Sequence, residues 1–212
     1  MLDKKVVDTL KSIVGDENVL TDAGDLLTYS YDGTPDQPQV LPEVVVMPES
    51  EEEIVQIVKL AKEEGLHIYT RGSGTNLSGG TIPLRKGIVL VTTRMNKIVE
   101  VDAENLTATV QPGVVINTLN DAVSPYGLMY PPDPGTVKTA TMGGSVSESS
   151  GGLRGLKYGV TKDYVMGVRM VLAKRRSRHL RRQERKERCW LRPHQARLRR
   201  RRHPRHHHRD PR

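Results

Sequence analysis

The chain has 212 residues and a formal net charge of +8, numbers that by themselves suggest one modest basic domain, even a nucleic-acid binder. Located along the chain, the charge splits: residues 174–212 carry 18 Lys and Arg against three Asp and Glu, a net +15, while the remaining 15 basic and 22 acidic residues leave residues 1–173 at −7. There is no apolar run of about 18 residues to span a membrane and no apolar signal segment at the N-terminus, and a single cysteine, Cys189, excludes an internal disulfide framework and fits a reducing cytoplasm.

The acidic body has no Phe, so its core must be built mostly from Val, Leu and Ile. Leu2, Val6, Leu10 and Ile13 recur at helical spacing, which predicts an opening helix stopped at Gly15. Residues 30–42, with three prolines, read as an extended connector. Residues 43–47 (EVVVM) form a β-branched run that predicts a buried strand. Ser50 with Glu53 three residues on is a capping box, and Ile54, Ile57, Val58 and Ala61 make the buried stripe of the helix it starts, which Gly65 ends. Residues 66–70 (LHIYT) are the next strand, and this strand–helix–strand unit favours parallel pairing with a right-handed crossover. Strands are expected at 87–92, 97–102 and 106–111, a helix at 114–123, and a last strand at 165–173. Residues 126–163 read as long loops rich in Gly, Pro, Ser and Thr. The fold class is α+β.

Three glycine-rich segments carry the chemistry. RGSGTNLSGG (residues 71–80) directly follows a strand. Its glycines permit positive φ and close backbone approach, and successive N–H groups in such a turn make a concave anion site. Thr75, Asn76 and Ser78 add side-chain donors. The chemistry suggested is pyrophosphate binding, though the loop is neither a Walker A sequence nor a correctly spaced Rossmann fingerprint. Read alone it is as compatible with a flexible surface loop. PPDPGT (131–136) and TMGGSVSESSGG (141–152) follow, then LKYGVT (156–161), and a segment this long without periodicity is more often functional than a connector. Other residues have plainer readings. His67 suits a satisfied core position, Asp163 a turn cap, Arg154 the surface, and the acidic run 49–53 a helix N-terminus.

In that order and spacing, RGSGTNLSGG, PPDPGT, TMGGSVSESSGG and LKYGVTKDYVMG resemble the FAD-binding domain of the vanillyl-alcohol oxidase/p-cresol methylhydroxylase (PCMH) superfamily. Within it, the likeness is to the FAD subunit of glycolate oxidase and to D-lactate and D-2-hydroxyglutarate dehydrogenases. The preamble in residues 43–72 shares the likeness, which covers roughly residues 5–173. The resemblance implies a PCMH-type FAD-binding domain of two α+β subdomains, the second incomplete. It divides the chain into a helical lead-in (1–40), a truncated FAD-binding domain (41–173) and a basic tail outside the family pattern (174–212), expected to be disordered. It also implies that Gly72, Ser73, Gly74, Thr75, Asn76, Leu77, Gly79 and Gly80 would wrap the FAD pyrophosphate. Pro134, Gly135, Thr141, Gly143, Gly144, Ser147, Gly152, Tyr158 and Gly159 would line the cofactor from the other side. Serine stands at 145 and 149 where the family usually has Asn, a shorter hydrogen-bonding group. The implied activity is oxidation of a D-2-hydroxy acid to the 2-oxo acid, with hydride passing to FAD, in a cytoplasmic protein with an iron–sulfur partner subunit. In the family the catalytic base and the substrate residues come from a C-terminal domain beyond this sequence, so no catalytic residue is assigned and no metal is expected.

The tail has three readings: a nucleic-acid-binding arm, a metal-binding stretch at His206, His207 and His208, and a frameshift in a GC-rich gene. The genetic code favours the third. Residues 186–196, KERCWLRPHQA, read one nucleotide later with permitted codons, give KNVAGYDLTKL, a string this family carries downstream. The nucleotide sequence around codon 174 decides between them.

Overall fold

The structure is a computed structural model and describes residues 2–85, 87–172, 177–181 and 190–200. In chain order the elements are α1 (Lys4–Val14), β1 (Val19–Leu20), α2 (Ala23–Leu27), β2 (Val44–Val46), α3 (Glu51–Glu63), β3 (Ile68–Arg71), β4 (Ile88–Val91), β5 (Ile98–Asp102), β6 (Thr107–Val110), α4 (Ile116–Val123), β7 (Leu128–Met129), α5 (Met142–Glu148), α6 (Gly155–Tyr158), β8 (Val165–Val171), β9 (Ser177–Arg181), β10 (Trp190–Arg197) and β11 (Arg199–Arg200). Among the described residues they build two main sheets, each with its own helices, and a small β7–β11 pair, the two-part α+β arrangement expected from sequence.

The first sheet has the order β1-β2-β4-β3. β2 and β3 both run parallel to β4, and β1 closes the edge antiparallel to β2. The expected strand–helix–strand unit is present, but β4 lies between its two strands. Alternation assigns the faces: Val44, Val46, Ile88 and Leu90 pack under α1 and α3, while Val45, Val89 and Val91 pack with Leu26 of α2 on the other side. α3 begins where its cap predicts. Ser50 Oγ accepts from the Glu53 N–H at 3.2 Å, and the Glu53 carboxylate reaches back one residue further than in the standard box, accepting from the Glu49 N–H at 2.8 Å. The lead-in is continuous with this core, since Val6, Leu10 and Val14 of α1 lie against Ile54, Ile57 and Ala61 of α3.

The second sheet is antiparallel throughout, in the order β5-β6-β10-β8-β9. α4 supplies Ile116, Leu119 and Val123 to its core, and Tyr130 meets Tyr164 edge to face at 6.0 Å between ring centroids. Two expectations are corrected here. The tail segment 174–212 contains three strands, β9, β10 and β11, which pair with β8, β6 and β7. Unpaired edges of β6 and β8 offer main-chain partners to any extended segment. The rest of that segment, including His206–208, lies outside the described residues. TMGGSVSE is also not a loop but α5. Thr141 caps its first turn, and Gly143 fits because a Cβ there would lie 2.8 Å from Pro112 Cβ. Packing has overridden the glycines' helix-breaking tendency.

Candidate functional site

Arg71 ends β3, and the chain then turns through residues 72–80. Gly74 and Gly79 hold the loop in left-handed conformations, at φ +70° and +68°. A side chain at Gly74 would run into the Arg71 guanidinium, and one at Gly72 into Thr141 Oγ1. Few of the loop's main-chain groups are spent internally. The Gly79 N–H donates to Thr34 Oγ1 at 2.7 Å and Ile82 N–H to the Gly79 carbonyl, whereas the N–H groups of residues 73–78 donate to no other described residue. Unspent N–H groups are what an anion site needs from a loop.

The side chains expected to face a ligand are in part committed elsewhere. Asn76 Nδ2 donates to Asp32 at 2.7 Å, and Ser78 Oγ donates to the Glu148 carboxylate at 2.9 Å. The loop therefore presents backbone, with its polar side chains tying it down. Behind it stands Arg71, only 7% exposed. Its guanidinium donates to the Tyr31 carbonyl at 2.5 Å and to Thr81 Oγ1 at 3.4 Å, and lies 5.5 Å from the Tyr29 ring centroid. Burial pulls the Arg71 pKa down, and the Asp32 charge opposes that. Asp32 also accepts from the Thr34 N–H at 2.9 Å and Thr81 Oγ1 at 3.0 Å. Burial alone would raise its carboxyl, but hydrogen bonds from Thr34, Asn76 and Thr81 outweigh it and hold the pKa below the usual 3.8.

The other predicted residues fall into two groups. Thr141, Gly143, Gly144 and Ser147 lie on or beside α5, which Gly72 and Ser78 bring against the loop. The Gly144 N–H points to Thr141 Oγ1 at 3.4 Å, and Ser147 Oγ donates to the Gly143 carbonyl at 3.0 Å. Pro134 and Gly135 form a turn against which Gly152 packs so closely that a Cβ would collide with the Asp133 carbonyl. Arg154 pairs with Asp133 at 3.2 Å, the surface role expected. Tyr158 and Gly159 close α6. The Tyr164 hydroxyl donates to the Tyr158 carbonyl at 2.6 Å, and Asp163 accepts from the Val160 N–H at 2.9 Å, capping that turn. No hydrogen bond among the described residues joins Pro134, Gly135, Gly152 or Gly159 to the 72–80 loop. His67 is exposed rather than in the core, as it lies just before β3 begins.

Sequence reading missed Tyr31, Asp32 and Thr34, which sat inside the expected connector. A signal was present: Asp-Gly-Thr is the pattern of an Asx turn, and Asp32 Oδ1 makes that bond to the Thr34 N–H.

Comparison with known proteins agrees with this geometry. A family model described as FAD binding domain matches residues 42–180. The chain is 50% identical over 173 residues to "Glycolate oxidase subunit GlcD" of Bacillus subtilis, covering 82% of this chain and 37% of that protein. It is 44% identical over 150 residues to "D-lactate dehydrogenase" of Archaeoglobus fulgidus, covering 68% and 33%. It thus spans about a third of the length of these curated relatives. Among solved structures, alkyldihydroxyacetonephosphate synthase superposes with a TM-score of 0.83 at 22% identity, over 94% of this chain and 41% of that one. p-Cresol methylhydroxylase with substrate bound gives 0.77 at 19%, over 92% and 42%. At such identities the likeness is one of fold alone. The nucleic-acid reading of the tail draws no support from these matches.

Proposed function

Because the chain belongs to the FAD binding domain family, we propose that it forms the pyrophosphate-holding part of a flavoprotein that oxidises a D-2-hydroxy acid, such as glycolate or D-lactate, to the 2-oxo acid. The observation that carries this is the 72–80 loop, whose N–H groups at 73–78 donate to no acceptor among the described residues and whose glycines leave no side chain in the way. A dianionic pyrophosphate suits such a backbone cradle, and the −7 body has no surplus of cations to hold one by bulk charge. Bound FAD supplies the hydride acceptor, and the protein's share is to hold and orient it.

In this reading residues 72–77, Gly79 and Gly80 hold the pyrophosphate, while Thr141, Gly143, Gly144 and Ser147 close the site from α5. Pro134, Gly135, Gly152, Tyr158 and Gly159 extend it along the second subdomain. The substrate class rests on the names of the relatives, glycolate oxidase and D-lactate dehydrogenase. An iron–sulfur subunit as electron-accepting partner rests on the glycolate oxidase likeness alone. A cytoplasmic location rests on the single cysteine. Among the described residues no helix is long and apolar enough to cross a membrane.

The test uses the purified 212-residue chain. FAD binding is read by quenching of flavin fluorescence, and turnover by dye reduction with glycolate or D-lactate. The expected result is saturable FAD binding without turnover. Absence of FAD binding overturns the cofactor assignment, and robust turnover overturns the view that the substrate and base residues lie outside this 212-residue sequence.

A further inference from the structure

The family match begins at residue 42, yet the groups that fix the cofactor loop lie before it. Asp32 is 9% exposed and gathers Thr34, Asn76 and Thr81 around its carboxylate. Thr34 Oγ1 takes the Gly79 N–H, the Tyr31 carbonyl takes the Arg71 guanidinium, and Gly33 lies so close that a Cβ would sit 3.0 Å from the Asn76 carbonyl. Residues 31–34 thus grip both ends of the loop and its middle, across gaps of 40 to 49 positions in sequence.

We propose that the Tyr31–Thr34 turn is part of the FAD site, with Asp32 and Arg71 as positioning residues that set the shape of the 72–80 loop without touching the cofactor. The inference rests on the assignment of FAD to that loop. The physical reason is that a loop with so few main-chain bonds of its own is an ensemble unless something outside holds it. A ligand that selects one conformer binds more weakly in inverse proportion to the fraction of the time that conformer is present. The Asp32–Arg71 pair removes this penalty. The carboxylate fixes Asn76 and Thr81, and the guanidinium fills the space a side chain at Gly74 would take. The two buried charges offset each other, so the loop gains shape rather than net charge.

The experiment titrates FAD, and separately ADP, into the full chain and its Asp32→Asn, Arg71→Met and Arg71→Lys variants, with Val6→Ala as a core control. Wild type binding neither ligand sinks the cofactor assignment itself. Given wild-type binding, Asp32→Asn and Arg71→Met are expected to weaken both ligands by roughly tenfold or more, because both carry the pyrophosphate. Arg71→Lys is expected to recover part of the loss. Val6→Ala is expected to lower the melting temperature with affinity unchanged at temperatures where it is folded. Variants that bind FAD and ADP as tightly as wild type overturn the proposal, as does a Val6→Ala variant that loses affinity in proportion to its stability. Should Asp32→Asn not fold, Thr34→Val, which removes the acceptor of the Gly79 N–H, reads the same quantity.

Discussion

Gly152 has no room for a side chain, because the Asp133 carbonyl occupies the direction a Cβ would take. Gly135, in the same turn, has open space around it. Gly152→Ala is therefore expected to destabilise the chain by about 1–3 kcal/mol, and Gly135→Ala to stay within about 0.5 kcal/mol; urea unfolding of the pair checks both. Asp32 gives a pH signature at the same scale. Its carboxyl is held below 3.8 in the folded chain. Its contribution is thus present above the unfolded pKa and is lost as the pH falls through the lower folded value. The stability difference between wild type and Asp32→Asn is expected to be full at about pH 5 and above and to shrink on further acidification. Thermal melts of both proteins across that range measure it, and a difference that grows below pH 4 would contradict the assignment.

At the scale of elements, α3 shows what local sequence can encode. Ser50 supplies the cap, Glu53 the reciprocal acceptor, and the stripe Ile54, Ile57, Val58 and Ala61 is the face that is buried. Ser50→Ala leaves the Glu53 N–H without its partner and is expected to cost about 0.5–2 kcal/mol, visible as a lower melting temperature. α5 shows the opposite. Met142-Gly143-Gly144-Ser145 reads as a breaker, and only the fit of Gly143 against Pro112 and the Thr141 cap make it helical. Strand order was equally hidden. β2, β3 and β4 are each legible as apolar runs, but nothing local says that β4 inserts between the other two. The site divides in the same way. Its glycine loop is written in ten consecutive residues, whereas its support, Asp32 and Thr34, lies some 40 residues upstream in a stretch that looks like a connector.

The two main sheets of the described residues close unequally. The first is complete within residues 19–91, whereas the second has β10, drawn from the basic segment, between β6 and β8. β10 is an uncomfortable central strand. Pro193 cannot donate to a ladder, and the register with β8 shifts between Leu191 and His194, on either side of it. Removing residues 174–212 is expected to leave the first sheet intact and to expose the facing edges of β6 and β8, giving a self-associating protein. Light scattering after size exclusion reads this, and a monodisperse monomer would show that β10 does not protect those edges.

The position of β10 also imposes a timetable on a chain emerging from the ribosome. The first sheet has all its strands once residue 91 is made, but the second waits for residue 197. At typical synthesis rates that is a delay of about 5–20 s. For that interval the nascent chain carries a first sheet with all its strands joined to a second sheet that still lacks its central strand, and the first part already contains the loop proposed to meet FAD. The proposed cofactor site can therefore begin to assemble before the domain around it is complete, and an early-bound cofactor would stabilise the first part while the second is still being translated.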